Sequence, residues 1–372
     1  MTQKQLETIA SQFKIKGKIL SVSALGNGLI NDTYKINTEG DAPDYVLQKI
    51  NNKVFTDVDL LQSNIEAVTR HIRKQLEAAS EKDIDRKVLT FIESGNGKTY
   101  IQDESGFWRV SLFIDKAKTF ETVNPEYSYY AGKAFGDFEA RLTDLPDKLG
   151  ETIPDFHNME LRVRQFAEAL EQDAAGRVHE ALNGGDPSIR EIIDKITSRA
   201  EHYCLAEQLY REGKLPKRIC HCDTKVNNMM FDEEGNVLCV IDLDTVMPSF
   251  VFSDFGDFLR TAANTGDEDD KNLDNVSFNM EIFNAFSKGY LESAGTFLTP
   301  IERENLPFAA CLFPYMQAVR FFTDYINGDT YYKIQYPDHN LVRTKAQIKL
   351  LESAESHLEE MKKIISNGQD TI

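Results

Sequence analysis

The chain has 372 residues, of which 41% are hydrophobic and 27% are charged, and its formal net charge is -18 at pH 7. A chain of this length suits two globular lobes, and its acidity disfavours nucleic acid and anionic membrane surfaces as partners, because both carry negative charge. Five cysteines without CxxC spacing, no apolar run of about 18 residues and no signal-peptide pattern predict a cytoplasmic protein with reduced thiols and no membrane segment.

The first third of the chain is predicted to be strand-rich with one long helix. Gly26 and Gly28 mark a hairpin between the first two strands. In the helix, apolar residues recur at the spacing of one helical face, from Val58 to Ile72. The predicted strands are residues 15–25, 32–37, 44–50, 88–92 and 108–114, and the predicted helix is 57–79.

The rest of the chain is predicted to be mainly helical. Asp186 as N-cap, with Pro187 at the first helical position, opens a helix that runs to about residue 210. Two short strands, 228–231 and 237–241, interrupt the helices and are joined by an acidic turn. Periodicity predicts further helices at 126–143, 159–182, 276–294, 300–326 and 343–366.

Residues 219–245 carry the strongest chemical pattern, in which four polar residues fall in the spacing HxDxKxxN. Phosphoryl transfer needs a carboxylate that accepts or orients the acceptor's hydroxyl proton. An amide oxygen five residues later can reach a magnesium ion when both residues lie on one tight loop. Asp223 is therefore the predicted base and Asn228 a predicted metal ligand. Lys225 is predicted to offset the charge that grows on the transferred phosphate. His221 is expected to hold the backbone of the loop.

The strand pair that follows is predicted to bring a second carboxylate to this loop. It returns Asp242, fourteen residues after Asn228, to the end of a strand beside the loop. Carboxylate and amide oxygens are suitable ligands for magnesium. Asp242 is therefore the main predicted metal ligand, and Asp244 is a secondary candidate.

A DFG triplet at residues 254–256 offers a competing metal ligand, because this triplet marks one in protein kinases. Asp254 lies twenty-six residues beyond Asn228, and choosing it would leave the intervening strand pair without a role. The spacing therefore favours Asp242. Asp254 is expected instead, together with Asp257, to cap and brace a helix that begins near residue 258.

The loop between the first two strands is a candidate phosphate-covering element. Glycines let backbone amides approach phosphates closely. The loop is neither a full GxGxxG nor a Walker A motif, so a plain hairpin turn explains its glycines about as well. Its place at the opening of the strand-rich lobe favours the nucleotide role, which falls on Gly26, Asn27, Gly28 and Asn31.

A lysine on the third strand is expected to neutralise phosphates and to pair with a glutamate of the following helix. Gln48 and Lys49 compete for this position, because adjacent strand residues point to opposite faces. Lys49 has the charge, and Glu66 is its better candidate partner over Glu77. Which of the two strand residues faces the phosphates stays open.

Several blocks of the sequence resemble the aminoglycoside phosphotransferase and choline kinase superfamily. HCDTKVNNMMFDEEGNVLCVIDLDTVMPSFVFSDFGDFLR looks like its catalytic core. The flanking blocks point to bacterial N-acetylhexosamine 1-kinases, and they extend the likeness from about residue 18 to residue 350: GNGLINDTYKI, DYVLQKINNKVFTDVDLLQSNI, FWRVSLFID, AFGDFEARLTDLPDKLGETIPDFHN and VRFFTDYINGDTYYK.

The resemblance implies an α+β, two-lobed protein-kinase-like fold. Residues 1–114 would form a strand-rich, nucleotide-binding N-lobe, and residues 115–372 a mainly helical C-lobe with the catalytic loop and substrate-binding helices. ATP and Mg²⁺ are the implied cofactors, with adenine against the backbone near Phe113 and Ile114. Asp223 matches the family's base, and Asn228 and Asp242 match its magnesium ligands.

The resemblance further implies phosphoryl transfer to the anomeric hydroxyl of an N-acetylhexosamine, with no obligate protein partner. Arg320 matches a helix arginine near the family's sugar pocket, and Asp324, Tyr331 and Tyr332 add acceptors and rings of the kind a sugar needs. His157 is either a core histidine or a sugar contact. Gln48 falls where many members carry a phosphate-binding Lys or Arg, which departs from the family pattern.

Two alternative functions remain open. The first is a kinase for another small alcohol, such as choline, homoserine, an aminoglycoside or a ketosamine. The second is a noncatalytic, nucleotide-binding pseudokinase, and intact Asp223, Asn228 and Asp242 count against it.

Overall fold

The computed structural model describes residues 1–26, 30–120 and 123–367, which form a strand-rich part and a mainly helical part. The chain divides into two compact units. Unit 1 comprises Met1–Phe120, Arg141–Pro154 and Asn227–Pro248. Unit 2 comprises Glu121–Ala140, Asp155–Val226 and Ser249–Ile372. The predicted division of the chain after residue 114 stays a prediction.

The helices and strands are numbered in chain order. The first part of the chain holds α1 Gln3–Ala10, β1 Ile19–Ala24, β2 Asp32–Thr38, β3 Tyr45–Ile50, α2 Val58–Ala78, α3 Ile84–Lys87, β4 Tyr100–Asp103 and β5 Gly106–Leu112. Then follow α4 Pro125–Arg141, α5 Met159–Gln172, α6 Arg177–Leu182, α7 Pro187–Tyr203, α8 Leu205–Arg211, β6 Arg218–Cys220, β7 Met229–Phe231, β8 Val237–Val240 and β9 Met247–Ser249. The last part holds α9 Phe252–Ala262, α10 Met280–Ala294, α11 Pro300–Glu304, α12 Leu306–Ile326, α13 His339–Ser356 and α14 Leu358–Asn367.

The main sheet of unit 1 is antiparallel, in the order β1-β2-β3-β5-β4. One face packs against α1 through a buried cluster that includes Leu6, Leu47 and Trp108. The opposite face carries Gln48 and Arg109, which are cross-strand partners. Alternation along β3 therefore separates an apolar core face from a polar face.

Helix α2 ties the three segments of unit 1 together. The amide of Asn64 donates to the carbonyl oxygens of Gly150 at 2.8 Å and Val246 at 3.0 Å. These acceptors lie in the second and third segments, so a buried asparagine satisfies backbone groups from both. The predicted helix 57–79 is confirmed, with Asp57 as its N-cap.

The strand prediction at 88–92 is wrong in extent, because these residues form only a bridge between Phe91 and Ser111. Strand β4 pairs with residues 106–109 of β5, so only the last residues of β5 are left to pair with Phe91. The sequence analysis missed β4, and it also missed α1, which a capping box between Thr2 and Gln5 begins.

Two of the long helices predicted for unit 2 are each divided into two shorter helices. The pattern 159–182 divides into α5 and α6 after Asp173, whose φ of 39° is left-handed. The pattern 186–210 divides into α7 and α8 at Cys204, and Asp186 caps α7 as predicted. Rings of α9 and α10 stack in the core, with Phe258 and Phe286 at 4.2 Å between centroids. Within the described ranges, no helix combines the length and apolarity needed to cross a membrane.

Candidate active site

The predicted base lies in a loop of unit 2 that follows β6. The Asp223 carboxylate accepts from Lys225 Nζ at 2.5 Å, and both side chains are partly exposed. His221 is fully buried, and its Nδ1 lies 3.3 Å from the backbone nitrogen of Asp223. Its ring packs edgewise on Phe135 and Phe138. His221 therefore holds the backbone of the loop, as expected from the sequence.

Asp254 does not cap a helix, because α9 begins at Phe252 and places Asp254 inside its first turn. Its carboxylate oxygens accept the backbone N–H groups of His221 and Cys222, both at 2.7 Å. The residue thus fixes the loop that carries Asp223. In the same triplet, a side chain at Gly256 would overlap a carbonyl oxygen of α12, so this glycine permits close packing of two helices.

Asp257 is a second carboxyl group near the predicted base, and its exposure is 7%. Burial raises the pKa of Asp257 to about 6, with Arg260 opposing the shift and Asp223 adding to it. Burial pulls the pKa of Lys225 down, but the carboxylates of Asp223 and Asp257 outweigh it and hold this pKa above its ordinary value. The sequence predicts only helix bracing for Asp257, and its interaction with Asp223 and Lys225 is not predicted.

The two main metal candidates lie at one end of the β7–β8 hairpin in unit 1. The backbone N–H of Ile241 donates to the carbonyl of Asn228 at 2.9 Å, which brings Asn228 beside the residue that precedes Asp242. Asp242 is exposed and has a left-handed φ of 59°. The predicted hairpin is confirmed, and its amide and carboxylate oxygens suit a hard cation. The ligand roles stay predictions.

Asp244, the secondary metal candidate, is an anchor within unit 1. It is 3% exposed, and its two oxygens lie 2.5 Å from Arg109 Nη1 and 2.6 Å from Asn31 Nδ2. The hydroxyl of Thr152 donates to its backbone carbonyl at 2.9 Å. These contacts occupy both carboxylate oxygens, so the geometry favours Asp242 over Asp244 as a metal ligand.

The predicted pairing of Lys49 with Glu66 is wrong. Lys49 shares the face of the sheet with Trp108, and its Nζ lies 5.8 Å from that ring. Glu66 instead accepts from the hydroxyl of Thr99 at 2.5 Å. Arg109 is a cation on the opposite face, and its Nε donates to Gln48 Oε1 at 3.0 Å. Sequence reasoning missed Arg109, because no local motif marks a β5 arginine.

The other residues predicted to bind nucleotide are spread along unit 1. Gly26 has a left-handed φ of 68°, and the predictions for Asn27 and Gly28 fall outside the described residues. The Asn31 amide joins Asp244 to the backbone N–H of Asn51, so both of its ends are engaged.

The predicted adenine contacts Phe113 and Ile114 directly follow β5. The N–H of Phe113 donates to the Asp44 carbonyl at 2.9 Å, and it is therefore not available to a base. Ile114 is 4% exposed. The predicted adenine contact at this segment stays a prediction.

The predicted substrate residues Arg320, Asp324 and Tyr331 line one pocket of about 370 Å³ in unit 2. Asp324 accepts backbone N–H groups of residues 330–332 and the amide of Asn340, so it holds a loop and does not present a free carboxylate. This geometry argues against a direct substrate contact by Asp324. Tyr331 is 71% exposed, and its ring lies 5.9 Å from the Arg320 guanidinium.

Arg162 also lines this pocket, and sequence reasoning missed it because it is one polar position on an ordinary amphipathic helix. Its Nε is buried without a hydrogen-bond partner. Burial and the nearby Arg320 charge lower the pKa of Arg162. Two guanidinium groups that repel each other therefore face the same space.

His157 is a packed histidine behind this pocket. Its ring stacks on Phe156 at 4.3 Å, and its Nδ1 lies 3.0 Å from the Ser253 hydroxyl. Burial, followed by the charges of Arg320, Arg162 and Arg260, lowers its pKa well below the ordinary value. The ring is therefore neutral, and its contacts favour the core reading over a sugar contact.

Known proteins share this fold. The model of a phosphotransferase enzyme family matches residues 21–292. An aminoglycoside phosphotransferase from Alicyclobacillus acidocaldarius is 12% identical, with 97% of this chain and 96% of that chain covered and a TM-score of 0.63. A choline kinase from Cryptosporidium parvum is 12% identical, with 96% and 93% covered and a TM-score of 0.53.

A third similar structure is a spectinomycin phosphotransferase solved in complex with ADP and spectinomycin. It is 14% identical, with 99% of both chains covered and a TM-score of 0.51. At these identities the likeness shows the fold alone. The predicted α+β kinase-like fold, with an antiparallel strand-rich lobe and a helical lobe, is thereby confirmed.

Proposed function

The chain belongs to the phosphotransferase enzyme family, and on that premise we propose that it transfers the γ-phosphoryl group of ATP to the anomeric hydroxyl of an N-acetylhexosamine. The observation that carries the chemistry is the Asp223 loop, whose backbone is held by His221 and Asp254. A carboxylate fixed in this way can orient an acceptor hydroxyl. The use of ATP is supported by the similar phosphotransferase solved with ADP.

In the proposed reaction the anomeric oxygen attacks the γ-phosphorus, and the bond between this phosphorus and the oxygen of ADP breaks. The hydroxyl proton passes to the Asp223 carboxylate. An anomeric hydroxyl is more acidic than an ordinary alcohol, so orientation is the larger part of the task. Lys225, held at 2.5 Å from Asp223, offers positive charge to the transferred group.

Asn228 and Asp242 would hold Mg²⁺ in this proposal. Bound there, Mg²⁺ would neutralise phosphate charge and orient the polyphosphate. The support is the chemistry of the donor set, an amide and an exposed carboxylate at the end of one hairpin. The buried ion pair of Asp244 with Arg109 fixes the turn that presents Asp242.

The charge of the pocket in unit 2 supports a neutral acceptor. The lining holds two guanidinium groups, Arg162 and Arg320, and two carboxylates, Glu168 and Asp324. Asp324 is occupied by backbone N–H groups, and Glu168 lies 4.0 Å from Arg164. The formal charges of these four groups cancel, so the lining offers no excess of negative charge to a cationic acceptor such as choline or an aminoglycoside. A sugar with an N-acetyl carbonyl offers acceptors for these donors and an apolar face for Tyr331.

An assay of ADP release with a substrate panel tests this proposal. N-acetylglucosamine or N-acetylgalactosamine should support turnover, and choline and aminoglycosides should not. Arg320→Gln should raise the KM for the sugar about 10-fold or more, because a donor is lost. Arg190→Gln, which changes an exposed arginine of α7 outside the pocket, should leave it unchanged. Turnover with cationic alcohols alone would overturn the substrate assignment.

A further inference from the structure

A buried cluster of three acidic side chains lies behind the loop that carries Asp223, wholly within unit 2. It consists of Glu139 on α4, Cys220 on β6 and Asp254 on α9, each 2% exposed or less. One ligand atom of each lies within 4.8 Å of those of the others. The roles assigned to the active site above leave Glu139 unexplained.

We propose that Glu139 is a positioning residue whose protonated carboxyl group hydrogen bonds to the Asp254 carboxylate, and that Asp254 in turn holds the loop of the base. Glu139 acts through Asp254 and does not touch substrate. The activity part of this inference rests on the proposed kinase function, but its structural part does not.

The contacts of Asp254 are those of an ionised carboxylate. Its two oxygens accept the N–H groups of His221 and Cys222 at 2.7 Å each, which is the geometry of a carboxylate bound by charge-assisted hydrogen bonds. If the Glu139 carboxylate, with an oxygen within 4.8 Å of an Asp254 oxygen, were also ionised, the two charges would repel each other strongly in the dry interior. One proton shared by the two carboxyl groups removes that repulsion, as in other buried acid pairs.

The surroundings of the two carboxyl groups decide which of them holds the proton. Burial and then the charge of Asp254 raise the pKa of Glu139 well above its ordinary value. Burial also raises the pKa of Asp254, but the charge of His221 and the two backbone N–H groups oppose the shift. The anionic form is therefore better stabilised on Asp254, and the proton belongs on Glu139.

Two hydrogen bonds oppose the protonation of Glu139 but do not cancel the effect of burial. The Tyr290 hydroxyl donates to Glu139 Oε2, and this bond and one with Cys220 lower the pKa of Glu139, which stays well above its ordinary value. Arg218 is the nearby cation, and it is bound by Glu302 at 2.8 and 2.9 Å. Burial raises the pKa of both neighbouring thiols, Cys220 and Cys222, well above the ordinary value, so they are uncharged.

A metal ion is the alternative occupant of this cluster. It would need the Cys220 thiol and the Glu139 carboxyl group deprotonated, whereas burial favours the protonated form of both. Both Asp254 oxygens already accept backbone hydrogen bonds. A proton therefore suits the cluster better than a metal, and the experiment distinguishes the two.

Thermal stability as a function of pH tests the shared proton without any activity measurement. The pKa of Glu139 is raised on folding, so its contribution to stability is complete below the unfolded pKa of about 4.3 and is lost as pH rises. Glu139→Gln copies the protonated acid and has no such loss. The Tm of this variant relative to wild type should therefore rise between pH 5 and pH 8, by about 3 °C or more.

The matched control is Glu126→Gln, an exposed glutamate in the first turn of the same helix, whose Tm difference should not change with pH. A Tm difference for Glu139→Gln that is constant or falls with pH would overturn the proposal. So would a shift in wild-type Tm on adding Zn²⁺ or EDTA that Glu139→Gln abolishes, because a metal would then fill the cluster.

Loop positioning is tested with Glu139→Ala. Hydrogen exchange of the His221 and Cys222 amides should be faster in Glu139→Ala than in the wild type, and it should be close to wild type in Glu139→Gln. The kcat should fall about 10-fold in Glu139→Ala and should be largely restored in Glu139→Gln. Wild-type exchange and kcat in Glu139→Ala would overturn the positioning role. If Glu139→Ala fails to fold, the pH dependence of the Tm of Glu139→Gln still tests whether Glu139 is protonated. Loss of all activity with the expected exchange pattern would count against the proposed function alone.

Discussion

Asp223 combines partial exposure with a fixed backbone, which is the combination a proton-accepting or hydroxyl-orienting residue needs. Its carboxylate is 28% exposed and is paired with Lys225, while His221 holds its backbone nitrogen. Asp257, with a pKa raised by burial to about 6, adds negative charge nearby above that pH. Asp223 is therefore held in a fixed orientation between a cation, Lys225, and a second carboxyl group, Asp257.

Replacement of this carboxylate should separate chemistry from nucleotide binding. Asp223→Asn should lower kcat on the order of 100-fold or more, because the amide cannot accept the hydroxyl proton. Single-turnover kinetics measure the loss, and calorimetry should show ATP affinity close to wild type. Asp194→Asn, an exposed aspartate on α7, is the control and should keep wild-type kcat. Near-normal turnover in Asp223→Asn would remove Asp223 from the reaction.

At the scale of elements, unit 1 depends on a contact between the β5 strand and the turn after β8. Arg109 and Asp244 are 3% and 4% exposed at their side chains and form an ion pair at 2.5 Å. Arg109 also donates to Gln48 and Gln62, so it joins the sheet to α2. This pair fixes the turn that carries Asp242, and it is buried enough for its loss to be costly.

Arg109→Met should destabilise the protein by about 3–5 kcal/mol, because it leaves the Asp244 carboxylate buried without a counter-charge. Urea unfolding measures the change. Arg70→Met, which removes a surface pair with Asp147, should cost about 1 kcal/mol or less. Adding Asp244→Asn to Arg109→Met should recover part of the loss. Equal effects of Arg109→Met and Arg70→Met would contradict this account of the pair.

Elements whose signal is local could be predicted, and those set by partners far along the chain could not. The β7–β8 hairpin follows from two short strands around a glycine with a φ of 90°, and α2 follows from its apolar face and N-cap. Lys49 has the charge expected of a phosphate-binding residue, whereas the register with Trp108 decides its face. Arg109, Arg162 and Glu139 have no local signal, because their partners lie on other elements.

At the scale of the whole molecule, the assignment of residues to units follows from long-range packing. Unit 1 draws on three separate segments, which Asn64 joins through bonds to Gly150 and Val246. The length of the chain predicts two lobes but not this division. The net charge of -18 likewise does not predict a pocket whose lining holds Arg162 and Arg320 beside Glu168 and Asp324, with formal charges that cancel.

The position of the phosphate on the sugar decides whether the anomeric hydroxyl is the acceptor. The protein is incubated with ATP, Mg²⁺ and N-acetylglucosamine or N-acetylgalactosamine, and phosphorus NMR locates the phosphate in the product. We expect a single sugar phosphate whose phosphorus couples to the anomeric proton, and we expect its loss in Asp223→Asn. Phosphate on the 6-hydroxyl, or no transfer to either sugar with turnover of a cationic alcohol, would contradict the proposed substrate and position of transfer.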